Sequence, residues 1–171
     1  MKQLVALSVS IAVLAIIWAY LALAPLSGYV LVWAGFIAWG CYFASGADGK
    51  ALSKTIAGTC YGAIIGWIAL LIIVNVGMPG LGALWPAIVV GVTVFFLVIV
   101  ASIDLLSVVP ANVYGFAAIV AYCLSADPNG PLKNLTLGSM TNPLIMLFVS
   151  FIIGAFFGMF SGKLAGALTK K

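Results

Sequence analysis

The stretch KTIAGTCYGAIIGWIALLIIVNV, residues 54–76, decides the fold. After Lys54 it runs on without a charged residue. A helix needs about 20 mainly apolar residues to cross a hydrocarbon core, and this run supplies them. Gly58, Gly62 and Gly66 recur in it at four-residue spacing, so they share one helix stripe. Working outward, five further apolar runs cover residues 4–24, 29–45, 84–103, 113–125 and 143–164. The second is short and the fifth very short, so the fifth is expected to begin earlier, within residues 105–112, as a broken segment. Breakers cluster in the connections at 25–28, 46–54, 77–80 and 127–142.

Charge placement fixes the orientation expected of these runs. The chain has seven lysines and neither arginine nor histidine. In a six-span drawing Lys2, Lys50, Lys54, Lys163, Lys170 and Lys171 fall on one side and Lys133 on the other. Lysines are retained in the cytoplasm, so both termini are expected there. Trp18, Tyr20, Tyr29, Trp33 and Trp85 would lie near the opposite, periplasmic boundary, at the headgroup depth that amphipathic rings prefer. A signal peptide ending at Ala22-Leu23-Ala24 is disfavoured, because Pro25 follows where cleavage needs another residue.

Composition excludes whole classes of function. Of 171 residues, 65% are hydrophobic and 6% charged, with a mean hydropathy of +1.33. Soluble domains carry roughly a quarter charged residues, so this surface must face the lipid bilayer. The net charge of +4 is dispersed and not interleaved with aromatic residues, which argues against a nucleic-acid partner. Cys41, Cys60 and Cys123 read as small buried hydrophobes, with no CxxC pair and no histidine to complete a metal site. No Ser-His-Asp set, HExxH or phosphate loop is present, so neither an enzyme nor a cofactor is expected.

The chain also resembles itself. Sliding it by about 80 residues lays the second run on the fifth: Gly35 meets Gly115, Ala38 meets Ala118, Tyr42 meets Tyr122 and Ser45 meets Ser125. Steps of three, four and three put each set on one helix face. The expectation is an all-α membrane protein, one transmembrane domain over residues 1–171 with halves 1–80 and 81–171. Each half would hold three helices. An odd number inverts the second half, as in many channels and transporters.

Trp33-Ala34-Gly35-Phe36, then Tyr42-Phe43-Ala44 and Leu52, Lys54, Gly58 and Trp67, resemble the YcdZ-like family of bacterial inner-membrane proteins. That family has no established function. The resemblance implies an inner membrane and about six spans, and it brings no catalytic or binding residues.

Three groups of residues remain candidates. The glycine stripes, Gly58, Gly62 and Gly66 in one run and Gly154, Gly158, Gly162 and Gly166 in another, fit close packing within the chain, a subunit interface or a smooth pore wall. The two matched faces, Gly35, Ala38, Tyr42 and Ser45 with Gly115, Ala118, Tyr122 and Ser125, fit helix packing or a solute path with hydroxyls near both mouths. Asp104 is the only acid that reads as embedded, at the end of the fourth run and outside the connections rich in breakers. It either faces cytoplasmic water or binds a proton or cation, with Asn112 at the nearby break. Asn142 reads as a helix cap, with Pro143 at the first helical position. Proton pumps keep several embedded ionisable groups, and this chain has one at most. The expected function is a passive channel or facilitator for a small polar, neutral solute, acting as a homo-oligomer. The rival is a non-transporting scaffold or accessory subunit.

Overall fold

A computed structural model describes residues 1–125 and 130–169, with the side chain of Ser125 outside the description. Each apolar run becomes a helix: α1 Gln3–Leu23, α2 Val32–Ala44, α3 Gly49–Asn75, α4 Leu84–Ile99, α5 Val109–Ser125 and α6 Pro143–Leu168. No strand occurs among the described residues. Four segments are long and apolar enough to cross a membrane: Gln3–Leu23, Gly49–Asn75, Leu84–Ser102 and Pro143–Leu168. The other two helices are shorter. With 13 and 17 residues, α2 and α5 measure about 20 and 25 Å, against a hydrocarbon core of about 30 Å.

Local chemistry sets the ends. Expected to start at residue 55, α3 starts at Gly49, so Lys50 and Lys54 lie on the helix and not in a connection. Asp48 explains the difference. Its carboxylate accepts from the Ala51 amide at 2.6 Å, and an anion at the N-cap also suits the helix dipole. As the sequence suggests, α5 starts early, at Val109. Two 3-10 turns, Val100–Ser102 and Asp104–Leu106, separate it from α4. Asn142 caps α6 by accepting from the Leu144 amide at 2.9 Å. Its own amide donates to the carbonyls of Leu135 and Leu137.

Packing divides the helices differently from chain order. α1 and α2 pack on α6, α4 and α5 pack on α3, and α3 also touches α6. Trp18, Val30 and Trp39 form a buried cluster where α1, α2 and α6 meet. Ala69, Val89, Leu97 and Phe116 form its counterpart among α3, α4 and α5. A central cluster joins the two, with Ala38, Ala63, Ala118, Leu147 and Phe151 at its heart. Trp18 is therefore not a boundary ring. It is fully buried, and its indole donates to the Val32 carbonyl at 2.9 Å.

Contacts also define two ends. The Met1 amine donates to the Leu168 carbonyl, bringing the start of α1 to the end of α6. The Lys54 ammonium reaches Asp104, bringing the start of α3 to the α4–α5 connection. The Trp67 indole reaches the Leu135 carbonyl, which holds the segment before α6 beside the far half of α3. Consequently α2 runs toward the end with the termini and α5 runs away from it.

Candidate functional site

Glycines bring the helix backbones together at two crossings. A Cβ on Gly62 would overlap the backbone of Asn112, and one on Gly115 would overlap the carbonyl of Thr59. Here α3 and α5 touch main chain to main chain, with Gly58 and Gly66 seated against Asn112 and Ile119 on either side. Approach this close also admits Cα–H···O contacts, worth about 0.5–1 kcal/mol each. The second crossing joins α6 to α2. A Cβ on Gly154 would overlap the Gly35 backbone, and one on Gly158 would press on Trp39 and Tyr42. Two hydrogen bonds reinforce it. The Leu31 amide donates to the Ser150 hydroxyl at 2.8 Å, and the Trp39 indole donates to the Ser161 hydroxyl at 3.0 Å.

The α6 stripe does not pack along its whole length. At Gly162 a Cβ would meet only Phe43, at 3.9 Å, and at Gly166 it would meet nothing within 4 Å. Both glycines line a cleft of about 790 Å³ at the end of the bundle that carries the termini. Leu7 of α1, Phe43 and Met159 give it apolar walls, and Asp48 and Lys163 bring one charge of each sign. A second groove, about 470 Å³, runs between α2 and α5 and is walled by Trp33, Phe36, Ile37, Tyr114 and Ala117.

The two matched faces are placed as follows. Gly35 and Gly115 sit at the two crossings. Ala38 and Ala118 are buried in the same central cluster. Tyr42 is buried and donates to the Ala47 carbonyl at 2.7 Å. Tyr122 is half-buried and donates to the Met146 sulfur at 3.6 Å. Ser45 donates back to the Cys41 carbonyl of its own helix, as Ser and Thr often do. The Ser125 side chain lies outside the described residues. The two alanines thus share one buried cluster. The tyrosines of the two faces lie toward opposite ends of the bundle, because α2 and α5 run in opposite directions.

Asp104 and Asn112 do different jobs at the α4–α5 break. Asp104 is exposed and pairs with the Lys54 ammonium at 2.7 Å. Lys54 also donates to the Ser107 hydroxyl at 3.1 Å. The Lys54 hydrogen bond, then its charge, holds the Asp104 carboxyl below its ordinary value. Asn112 is fully buried. Its amide donates to the carbonyls of Leu97 and Leu106, stapling the end of α4 to the 3-10 turn. Its carbonyl oxygen has no partner among the described residues and lies over Gly58.

One family spans this geometry. Proteins of unknown function described as DUF1097 match over residues 8–166, from the second turn of α1 to Gly166. The chain belongs to the DUF1097 family. No curated protein and no solved structure matches it. The DUF1097 match takes in both glycine crossings, Asn112 and the Lys163 side of the cleft. Sequence reasoning passed over Lys163 and Asp48 as lining residues. No sequence signal joins the two, which lie far apart in the chain.

Proposed function

We propose that this DUF1097 protein is a passive facilitator for a small polar, neutral solute, spanning a bacterial inner membrane six times with both termini cytoplasmic. The observation that carries the reading is the burial of Ala38 and Ala118 in one central cluster. These are matched positions of the self-similarity, and both lie in the cluster that joins the two helix sets. Tyr42 and Tyr122 flank that cluster toward opposite ends. A path there would offer hydroxyls that donate and accept. It would offer no fixed charge, so ions would face a large desolvation cost.

An inverted-repeat architecture supports the same reading. Exchanging α1 with α4, α2 with α5 and α3 with α6 turns the α1–α6 and α2–α6 contacts into α4–α3 and α5–α3, which are the contacts present. Passage would require the halves to part within this cluster, as in a facilitator captured closed. Resemblance to the YcdZ-like proteins supports the inner membrane. Four lysines, Lys2, Lys50, Lys54 and Lys163, on elements gathered at the end with the termini support a cytoplasmic placement of that end. Self-association would use a face other than the two packed crossings, and the groove between the short α2 and α5 is the one we favour, since short helices relieve mismatch by associating.

A specific observation favours the scaffold as the second reading. The hydroxyls of Tyr42, Ser45 and Tyr122 each donate to a partner within the fold. Proteoliposome flux separates the two. Under the facilitator reading a small amide or polyol enters faster than into empty liposomes, and Tyr42→Phe or Tyr122→Phe slows it. No acceleration for any solute in a panel of neutral and charged molecules gives the scaffold.

A further inference from the structure

The cleft at the terminal end is not explained by packing. The glycine stripe of α6 continues through Gly162 and Gly166 beyond the helix it packs against, and no side chain fills the room they leave. Opposite charges line this space without pairing. Lys163 makes no hydrogen bond or ion pair with a described residue, and the single bond of Asp48 is from one carboxylate oxygen to the Ala51 amide. Both charged residues are exposed, and Leu7, Phe43 and Met159 supply the apolar part of the lining. A ligand suited to this space carries an anion, an ammonium and an apolar body.

Depth narrows the choice. With 26 residues, α6 is about 39 Å long and overruns a hydrocarbon core of about 30 Å. Lys163 lies five residues before its end, close to the headgroup boundary that lysines reach for. We propose that the cleft binds the headgroup of an aminoethyl phospholipid, phosphatidylethanolamine, from the leaflet on that side. The phosphate would lie at the Lys163 ammonium and the primary amine at the free oxygen of Asp48. The acyl chains would leave over Leu7, Phe43 and Met159. Asp48 disfavours a purely anionic headgroup by repulsion, and a choline headgroup has no N–H to donate to it. The site does not depend on whether the protein carries a solute.

Native mass spectrometry of the intact, delipidated protein with equimolar ethanolamine, glycerol and choline phospholipids tests it. Wild type should retain the ethanolamine lipid preferentially. Lys163→Gln should lower that retention about tenfold, the scale of one charge-assisted hydrogen bond. Asp48→Asn keeps a good N-cap and should abolish the preference over the glycerol lipid. Gly166→Leu should block all lipid retention while the protein stays folded, since a Cβ there meets nothing. Equal retention of the three lipids by wild type overturns the proposal, as does retention unchanged in Lys163→Gln and Gly166→Leu. Displacement of the lipid by equimolar soluble phosphoethanolamine would also overturn it, in favour of a water-soluble zwitterion.

Discussion

Two stripes with the same spacing are used differently. In α3, Gly58, Gly62 and Gly66 all press on α5. In α6, Gly154 and Gly158 press on α2, whereas Gly162 and Gly166 look into an open cleft. Four-residue glycine spacing therefore reports where a backbone is bare. Whether another helix or a ligand occupies the bare strip is decided by what lies across from it.

That contrast is easily broken by single methyl groups. Gly62→Ala should have the largest effect, because its Cβ would overlap main chain that cannot rotate away. Overpacking costs of about 3 kcal/mol or more are expected, read as a large loss of thermal stability in detergent by fluorescence-detected size exclusion. A Gly62→Ala protein as stable as wild type would mean that α3 and α5 do not touch as described. Gly158→Ala should cost less, about 1 kcal/mol, because its nearest neighbours are the movable side chains of Tyr42 and Trp39 at 3.0 and 3.2 Å. Gly166→Ala should leave stability unchanged or raise it by up to about 1 kcal/mol through helix propensity. A marked loss in Gly166→Ala would place a helix, not a cleft, across from it.

The smallest effect concerns the Lys54–Asp104 pair. Its carboxyl is held below the ordinary value of 3.8, so its stabilising contribution is present above that pH and fades as pH falls through the lowered value. Asp104 is exposed, so the contribution is small. Melting curves of wild type and Asp104→Asn should differ slightly and equally from pH 5 to 8 and converge in stronger acid. A difference that grows between pH 6 and 8 would show that another group titrates there.

Helix identity was legible in the residues because apolar runs are long and their breakers are Gly, Pro and Asn. Boundaries were less so. Asp48 read as part of a connection, yet as a cap it draws Lys50 and Lys54 into α3. The close crossings were legible from glycine spacing, but not their partners, which depend on long-range pairing of α3 with α5 and of α6 with α2. Trp18 shows the same limit. An indole near a run's end reads as an interfacial ring, while burial and a bond to the Val32 carbonyl belong to α2 crossing in front of it. The cleft was illegible, since Asp48 and Lys163 lie far apart in the chain and share a space only after folding.

Main-chain contact at the α3–α5 crossing has a mechanical consequence. At Gly62 and Gly115 no side chain lies between the helices, so there are no rotamers to exchange at that point. Sliding would drive Thr59 or Ala63 into the Asn112–Phe116 segment. Rolling about the Gly62–Gly115 contact would press instead on the side chains of Ala111, Asn112 and Ile119 beside it, which can yield, so the crossing is expected to act as a pivot, with displacement growing with distance from it. The outer helices α1 and α4 would then swing most. Spin-label pairs from α1 to α4 in liposomes should give broad distance distributions, and pairs from α3 to α5 narrow ones. Equal widths would mean that the bundle moves as one solid body.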